Sequence, residues 1–380
     1  MMSNVETSIN YYNSQVEKFT KAKKINSKTL ADEFITYDST KFSWASDQIR
    51  DLNNEKLYEY DKLATRIVQY RPFFKQNGYF NDDIDQRMGF MQKLFPSNNS
   101  KNLLICVPGI GDKKPFSCLI SNVVPDLGML SAAQCFPLYY YEEPKQDKGA
   151  ERSSTEKSLS DFDLNNDEVK TPTYTRKDGV SDFILNRARK LYKTDKVSKE
   201  DIFYYVYGLL HSKEYRETFA ADFKLMLPRL PLLEKYEHFK AFSKAGRELA
   251  NLHLNYETVE PYKDVTIEEE ESGNFKVTDR EMRFEDKKTK ETIIFNNYIK
   301  ISNIPQKAYE YVVNGKSALE WLMERYTITV NKDSGIKNDP NDWAEEVGNP
   351  RYILDLFLRV ITVSVKTMEI VEGLPKLKFV

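Results

Sequence analysis

The 380-residue sequence predicts an α+β fold: a sheet-containing N-terminal lobe followed by a mainly helical C-terminal lobe that carries a β-hairpin. Three observations lead there. Short apolar runs closed by turn residues lie before residue 143, apolar residues at helical spacing dominate after residue 180, and the period changes again between Val265 and Asn303.

Residues 1–36 read as a basic helical linker or arm. Lys18, Lys21, Lys23, Lys24 and Lys28 outnumber two glutamates in the first thirty residues, and Ile9, Val16 and Phe19 keep a loosely helical spacing. The lobe expected over 37–143 opens with a polar, aromatic block, Tyr37 to Ala45, then a helix predicted over 46–59 and the aromatic cluster Tyr70-Arg71-Pro72-Phe73-Phe74. Leu103 to Val107, ended by Pro108-Gly109, is a buried strand leading into a turn. Cys118 to Ser121 and Cys135 to Tyr141 are predicted as further strands of the same sheet. Over 144–179 apolar residues are too sparse to offset the entropy of ordering the chain, so a mobile surface insertion is expected.

The lobe expected over 180–380 begins with helices predicted over 182–192, 199–210, 213–227 and 235–254. The last of these sets Phe239, Phe242, Gly246, Leu249 and His253 on one face. Met282-Arg283-Phe284 and Thr292 to Phe295, joined by a polar turn through Lys287 and Lys290, read as a hairpin with a basic tip. Helices are predicted over 305–313, 317–326 and 352–372, the last amphipathic through Ile353, Leu356, Phe357, Val360, Ile361 and Ser364. There are no internal repeats.

Lys plus Arg number 56 against 58 Asp plus Glu, a formal charge of −2, so the overall field does not steer the chain toward nucleic acid. A binding face needs only local cations. Cys106, Cys118 and Cys135 show no CxxC pair and no histidines at metal spacing, and are expected to be reduced and buried. The N-terminus has no apolar signal-peptide core, and the most apolar stretch, Ile353 to Val365, is interrupted by Asp355 and Arg359. A soluble, cytoplasmic protein without membrane partners is expected.

Catalytic constellations fail on their chemistry. Gly315-Lys316-Ser317 ends like a phosphate-binding loop, yet Glu310 stands where that loop requires its first glycine. The alternative is a helix start with Ser317 as N-cap and Glu320 completing a capping box. Val107-Pro108-Gly109-Ile110-Gly111 follows a strand as an S-adenosylmethionine loop does, but so short a glycine pair is read as a structural turn. Asn338-Asp339-Pro340-Asn341 lacks the second proline and the aromatic clamp of an amino-methyltransferase loop. Glu268 to Glu271 read as a solvated acidic loop, and His211, His238 and His253 as structural histidines.

Several strings occur in one order: Gln69-Tyr70-Arg71-Pro72-Phe73, Gln134-Cys135-Phe136-Pro137-Leu138-Tyr139, Tyr207-Gly208-Leu209-Leu210-His211, Pro228-Arg229-Leu230-Pro231 and Leu252-His253-Leu254. They continue through Asn314 to Trp321, Arg325-Tyr326 and Lys332 to Asn341. The ordered set, from about Tyr37 to Pro375, resembles the C-terminal specificity domain of type ISP restriction-modification enzymes. In that family a nuclease, a helicase-like ATPase, a coupler and an adenine methyltransferase precede this domain. The resemblance implies sequence-specific recognition of double-stranded DNA, with an adenine methyltransferase domain or subunit as partner. No motif of the other domains occurs here, so the chain alone is expected not to be an enzyme. It is expected to hold no cofactor; S-adenosylmethionine, ATP and magnesium belong to the other domains.

Recognition requires cations and small polar groups on phosphates, and rigidly mounted Arg, Asn, Gln or Lys side chains at base edges. Arg71, fixed between Tyr70 and Pro72, Lys316 and the 332–341 loop with Lys332, Ser334 and Asn338 suit this. For Arg71 a brace between lobes through a buried salt bridge is the stronger reading, and the loop suits equally a hydrogen-bonded turn. Lys287, Lys288 and Lys290 of the hairpin, Arg176 and Lys177 of the insertion, and Lys21, Lys23 and Lys24 of the arm are candidate phosphate contacts. Two other readings stay open on these residues: a standalone methyltransferase using the 107–111 turn, and a non-enzymatic interaction scaffold.

Overall fold

A computed structural model describes residues 2–81, 84–85, 89–97, 99–142, 174–271, 273–279, 282–332, 335 and 337–380. The fold is α+β, as expected, with helices around several small and mostly antiparallel sheets. Its organising element is the Leu104–Val107 strand, the middle strand of a three-stranded sheet between Leu119–Ser121 and Gln134–Pro137. All four of its residues are buried, the property of an apolar run covered on both faces. Because side chains alternate along a strand, Leu104 and Cys106 enter one core while Ile105 and Val107 enter another.

The first core sets Leu104, Cys106 and Leu119 against the Tyr352–Glu372 helix, the Ile293–Ile294 and Ile299–Ser302 strands and Trp321. The second sets Ile105, Val107, Cys118 and Ile120 against the Lys199–His211 and Tyr236–Leu254 helices. Each core therefore draws residues from both sides of the 144–179 stretch. The two helices of the second core meet at glycines: a Cβ on Gly246 would stand 1.8 Å from the Tyr204 carbonyl oxygen, and one on Gly208 2.3 Å from that of Phe242.

A third core joins the Met2–Ile25 helix to residues 31–58. Tyr12 stacks on Tyr58 with ring centroids 4.3 Å apart, and Tyr58 donates from its hydroxyl to Asp51 at 2.9 Å. Residues on both sides of position 36 share this core.

The predicted strands at Leu104–Val107 and Leu119–Ser121, the hairpin Arg283–Phe284 with Ile293–Ile294, and the helices Asp182–Tyr192 and Tyr352–Glu372 form as expected. Other elements differ, each for a packing reason. The 46–59 helix stops at Asn53; Glu55 turns left-handed (φ 59°) so that Tyr58 can enter the third core. The 213–227 helix ends at Thr218, where the rings of Phe219 and Phe223 close on Tyr215, whose hydroxyl donates to the Arg229 carbonyl. The predicted 135–141 strand breaks at Leu138, which is buried. Gln134–Pro137 stays in the central sheet, and Tyr139–Glu142 pairs instead with Thr175–Asp178. Arg176 and Lys177 are thus strand residues rather than part of an insertion, whose residues 144–173 lie outside the described ones.

The helix expected over 305–313 is confined to Lys307–Glu310. Beyond it Asn314-Gly315, with φ of 51° and 84°, forms the two-residue turn of a hairpin pairing Val312–Val313 with Lys316–Ser317. The acidic segment is an edge strand, Thr266–Glu269, paired with Ile299–Ser302 and setting Glu268 opposite Lys300, rather than wholly a loop. The three cysteines are free, Cys106 and Cys118 buried and Cys135 partly so. Among the described residues no helix is long and apolar enough to cross a membrane.

Candidate nucleic-acid interface

Arg71 ends the Thr65–Arg71 strand, and Pro72-Phe73 turns the chain back into Phe74–Tyr79. Phe73 takes a left-handed φ of 58°, a conformation unfavourable for a bulky residue; its ring is buried edge-on to Tyr256 in the first core, which holds the turn in place. That fixes Arg71. Its Nη1 donates to the Tyr70 carbonyl and to Asp126 Oδ1, both at 2.6 Å, and the guanidinium lies over the Tyr70 ring at 3.9 Å. Asp126 also accepts from the Gly128 amide at 2.8 Å, so the ion pair pins the 126–132 loop to the end of the strand.

The same loop is locked from its other end. Ser131 and Ala132 are consecutive left-handed residues (φ 57° and 56°). Ser131 donates from its hydroxyl to Asn314 Oδ1 at 3.1 Å, and its carbonyl accepts from the Gly109 amide at 3.1 Å. A Cβ on Gly109 would stand 2.8 Å from the Ala132 carbonyl, so the protein's own backbone occupies the space that this glycine leaves. The 126–132 loop, the 107–112 turn and the Asn314-Gly315 hairpin form one interlocked platform, with Leu127 70% exposed on it.

Cations gather there. Lys316, on the hairpin's return strand, lies over Trp321 at 5.0 Å and beside Glu324, which also holds Arg325. Lys114 packs its stem 3.5 Å from where a Cβ on Gly315 would sit. Burial and then the neighbouring charges of Arg325 and Lys114 lower the Lys316 pKa; burial and then Arg71 lower that of Arg325. Arg325 and Lys114 thus stand close enough to Lys316, and Arg71 to Arg325, for their like charges to act on one another, although Asp126 and Glu324 neutralise part of the cluster. One turn earlier on the Ala318–Arg325 helix, Glu320 completes the expected capping box with Ser317 and accepts from Lys290 at 2.9 Å. Burial opposes ionisation of Glu320, but the bonds from Lys290 and Ser317 prevail and its pKa is lowered.

Of the residues singled out in the sequence, Arg71, Lys316 and Lys290 are thus brought to one region, joined by Lys114, Arg325 and Leu127, which sequence reasoning missed. The signal that could have found them is the Asn314-Gly315 dipeptide, a hairpin turn that folds Lys316 back beside Lys114. The remaining candidates are held elsewhere. Arg176 lies over the Tyr139 ring at 4.2 Å and Lys177 faces Glu142 at 3.9 Å. Lys287 and Lys288 stand exposed at the hairpin tip with no ion pair among the described residues. Lys332 and Asn338 are exposed on the Thr329–Val330/Lys337–Asn338 hairpin, and Ser334 lies outside the described residues. In the N-terminal helix, Lys23 pairs with Glu55 at 2.7 Å.

The family described as the type ISP C-terminal specificity domain matches residues 1–356. Among solved structures, a nuclease-deletion mutant of the type ISP restriction-modification enzyme LlaGI in complex with a DNA substrate mimic is 33% identical, with a TM-score of 0.79 over 100% of this chain and 31% of that one. The ATP-dependent type ISP enzyme LlaBIII bound to DNA is 31% identical, with a TM-score of 0.79 over 99% of this chain and 22% of that one. A DrdV–DNA complex is 26% identical, also with a TM-score of 0.79, over 100% of this chain and 34% of that one. The chain thus spans about a third or less of the length of these neighbours. No curated protein matches it.

Proposed function

The chain belongs to the family of type ISP C-terminal specificity domains, and from that premise we propose that it recognises a specific sequence in double-stranded DNA. The observation that carries this reading is the match of essentially the whole chain, at 33% identity, to a type ISP enzyme solved with a DNA substrate mimic. The cationic platform supplies the chemistry: Lys114, Lys316 and Arg325 suit phosphates, which fix orientation, while Arg71 is mounted rigidly enough to read a base edge. Binding is the contribution of this chain. Methyl transfer, ATP hydrolysis and cleavage, with their S-adenosylmethionine, ATP and magnesium, fall to an adenine methyltransferase and the other domains of such enzymes.

Selection from a randomised duplex pool at low salt tests the proposal. Enrichment of one short motif is expected; retention of DNA without enrichment would reduce the function to phosphate binding, and an unenriched, unretained pool would count against it. With the motif in hand, Arg71→Ala is expected to cost ~1–3 kcal/mol on the enriched site alone. Equal weakening on all sequences would remove Arg71 from base reading. Lys114→Ala with Lys316→Ala should lower the salt slope of binding by about 2, close to one unit for each phosphate left without its cation. The same double change at Lys287 and Lys288 decides whether the hairpin tip also reaches the backbone.

A further inference from the structure

A cavity of about 700 Å³ opens between the turn at residues 108–116, the segment 211–228 and the end of the Tyr352–Glu372 helix. Its size lies within the roughly 300–1,000 Å³ of small-molecule sites. One side of the lining is aromatic: Phe116 and Phe223 stack on each other with ring centroids 4.1 Å apart, and both are only partly buried.

Beside that stack stands Arg216. Its Nε donates to the Leu210 carbonyl at 2.6 Å, one Nη lies 3.7 Å from Cys118 Sγ, and the guanidinium is 5.9 Å from the Phe116 ring centroid. No carboxylate approaches it within 4.0 Å among the described residues. A half-buried guanidinium without a counter-ion is costly unless something anionic reaches it. Its field acts on its neighbours uncompensated: burial holds His211 and His253 well below the usual histidine range, and Arg216 pushes both further down. Tyr311, lining the same cavity, buries a hydroxyl with no hydrogen-bond partner among the described residues.

The cavity also carries carboxylates, but Glu217 faces Lys213 at 4.0 Å and Glu372 faces Lys307 at 2.8 Å. Lys114 and Lys224 stand on its wall without ion pairs among the described residues, facing Asp112 and Glu310 in the balance of charge. Asp112 also buries an Oδ2 with no hydrogen-bond partner among the described residues, so the charges left outside ion pairs on the lining are three cations, Lys114, Arg216 and Lys224, against two carboxylates, and the balance favours an anionic occupant.

We propose that this cavity binds a nucleotide, with a phosphate against Arg216 and the flat base extending the Phe116–Phe223 stack. The nucleotide is either free or part of a DNA strand, since Lys114 both lines the cavity and borders the cationic platform. The assignment does not depend on sequence-specific recognition.

Calorimetric titration of the folded chain with AMP, adenosine and inorganic phosphate tests it. Saturable one-to-one binding of AMP is expected, with adenosine and phosphate each at least ten-fold weaker. Arg216→Gln should weaken AMP by roughly ten- to a hundred-fold, as expected when a charge-assisted hydrogen bond is removed. Lys224→Glu, at an exposed position where folding is not at stake, should weaken it in the same direction. Thermal melting shows that both variants are folded. Absence of saturable AMP binding by the wild-type chain, or AMP affinity unchanged in both folded variants, would overturn the proposal. If a duplex that the chain retains displaces AMP, the cavity serves a nucleotide of the DNA; if AMP binds regardless, it serves a free one.

Discussion

At His253, polar side chains from three helices meet in a buried network. The Tyr207 hydroxyl lies 2.6 Å from Nδ1, Thr367 Oγ1 lies 2.9 Å from Nε2, and the Tyr311 ring stacks on the imidazole at 5.0 Å. A neutral imidazole, with one donor and one acceptor nitrogen, satisfies both partners. Burial, assisted by Arg216, lowers the pKa of His253 to about 3. The unfolded chain, with a histidine pKa of about 6.5, therefore binds the extra proton first, so stability is complete above that value and falls as pH drops from 6.5 toward 3. Between pH 7 and pH 5 this one group should remove about 2 kcal/mol of unfolding free energy. His211, also held well below its usual range by burial, acts in the same direction. Urea unfolding at the two pH values checks this: His253→Gln should flatten the dependence, and an equally steep fall in that variant would assign it to another group. The sequence placed His253 on an inward helix face, but its partners lie 46 and 114 residues away, and no local pattern encodes such distances.

The helices were legible where apolar spacing and caps agree. Tyr352–Glu372 and Asp182–Tyr192 follow their predicted limits because an inward stripe, or a Ser181 cap accepting from the Ile184 amide, is written locally. The failures occur where a distant ring sets the boundary, as Tyr58 beneath Tyr12 and Phe219 beside Tyr215 do. The Asn314-Gly315 turn was written in the sequence and outweighed by helical spacing around it; with it went the position of Lys316 relative to Lys114. Between the Lys199–His211 and Tyr236–Leu254 helices, the close crossing depends on Gly208 and Gly246. In Gly246→Ala the added methyl would meet the Tyr204 carbonyl, a backbone atom that cannot rotate away. The helices must move apart, at a cost of about 1–3 kcal/mol or more from overpacking. A urea midpoint equal to wild type would show that this helix pair separates freely and is not a fixed support for the second core.

At the scale of the whole molecule, a net charge of −2 coexists with a local cationic platform, which shows why composition alone is a poor guide to where charge gathers on the surface. It also matters that the platform's loops grow from the strands between the two larger cores: the 107–112 turn follows Val107 directly, and the 126–132 loop leads into Gln134–Pro137. Leu104 and Ile105 are adjacent in sequence, yet they point into different cores. Disorder in one core must therefore displace the strand that supports the other. Leu104→Ala and Ile105→Ala should each lower stability by roughly 2–5 kcal/mol, the range for large-to-small changes in a core. Each should shift one common transition seen both by far-ultraviolet circular dichroism, which reports the helices of all three cores, and by the fluorescence of Trp321 in the first. Trp44, associated with the third core, and Trp343 also emit, so the Trp321 signal is isolated by replacing those two residues with Phe. Separate transitions, with Ile105→Ala leaving the Trp321 transition in place, would mean that the cores fold independently and that the strand between them can be lost from one face while packed on the other. A single transition would make the platform's rigidity a property of the whole fold, because its two loops could not loosen without unfolding both cores.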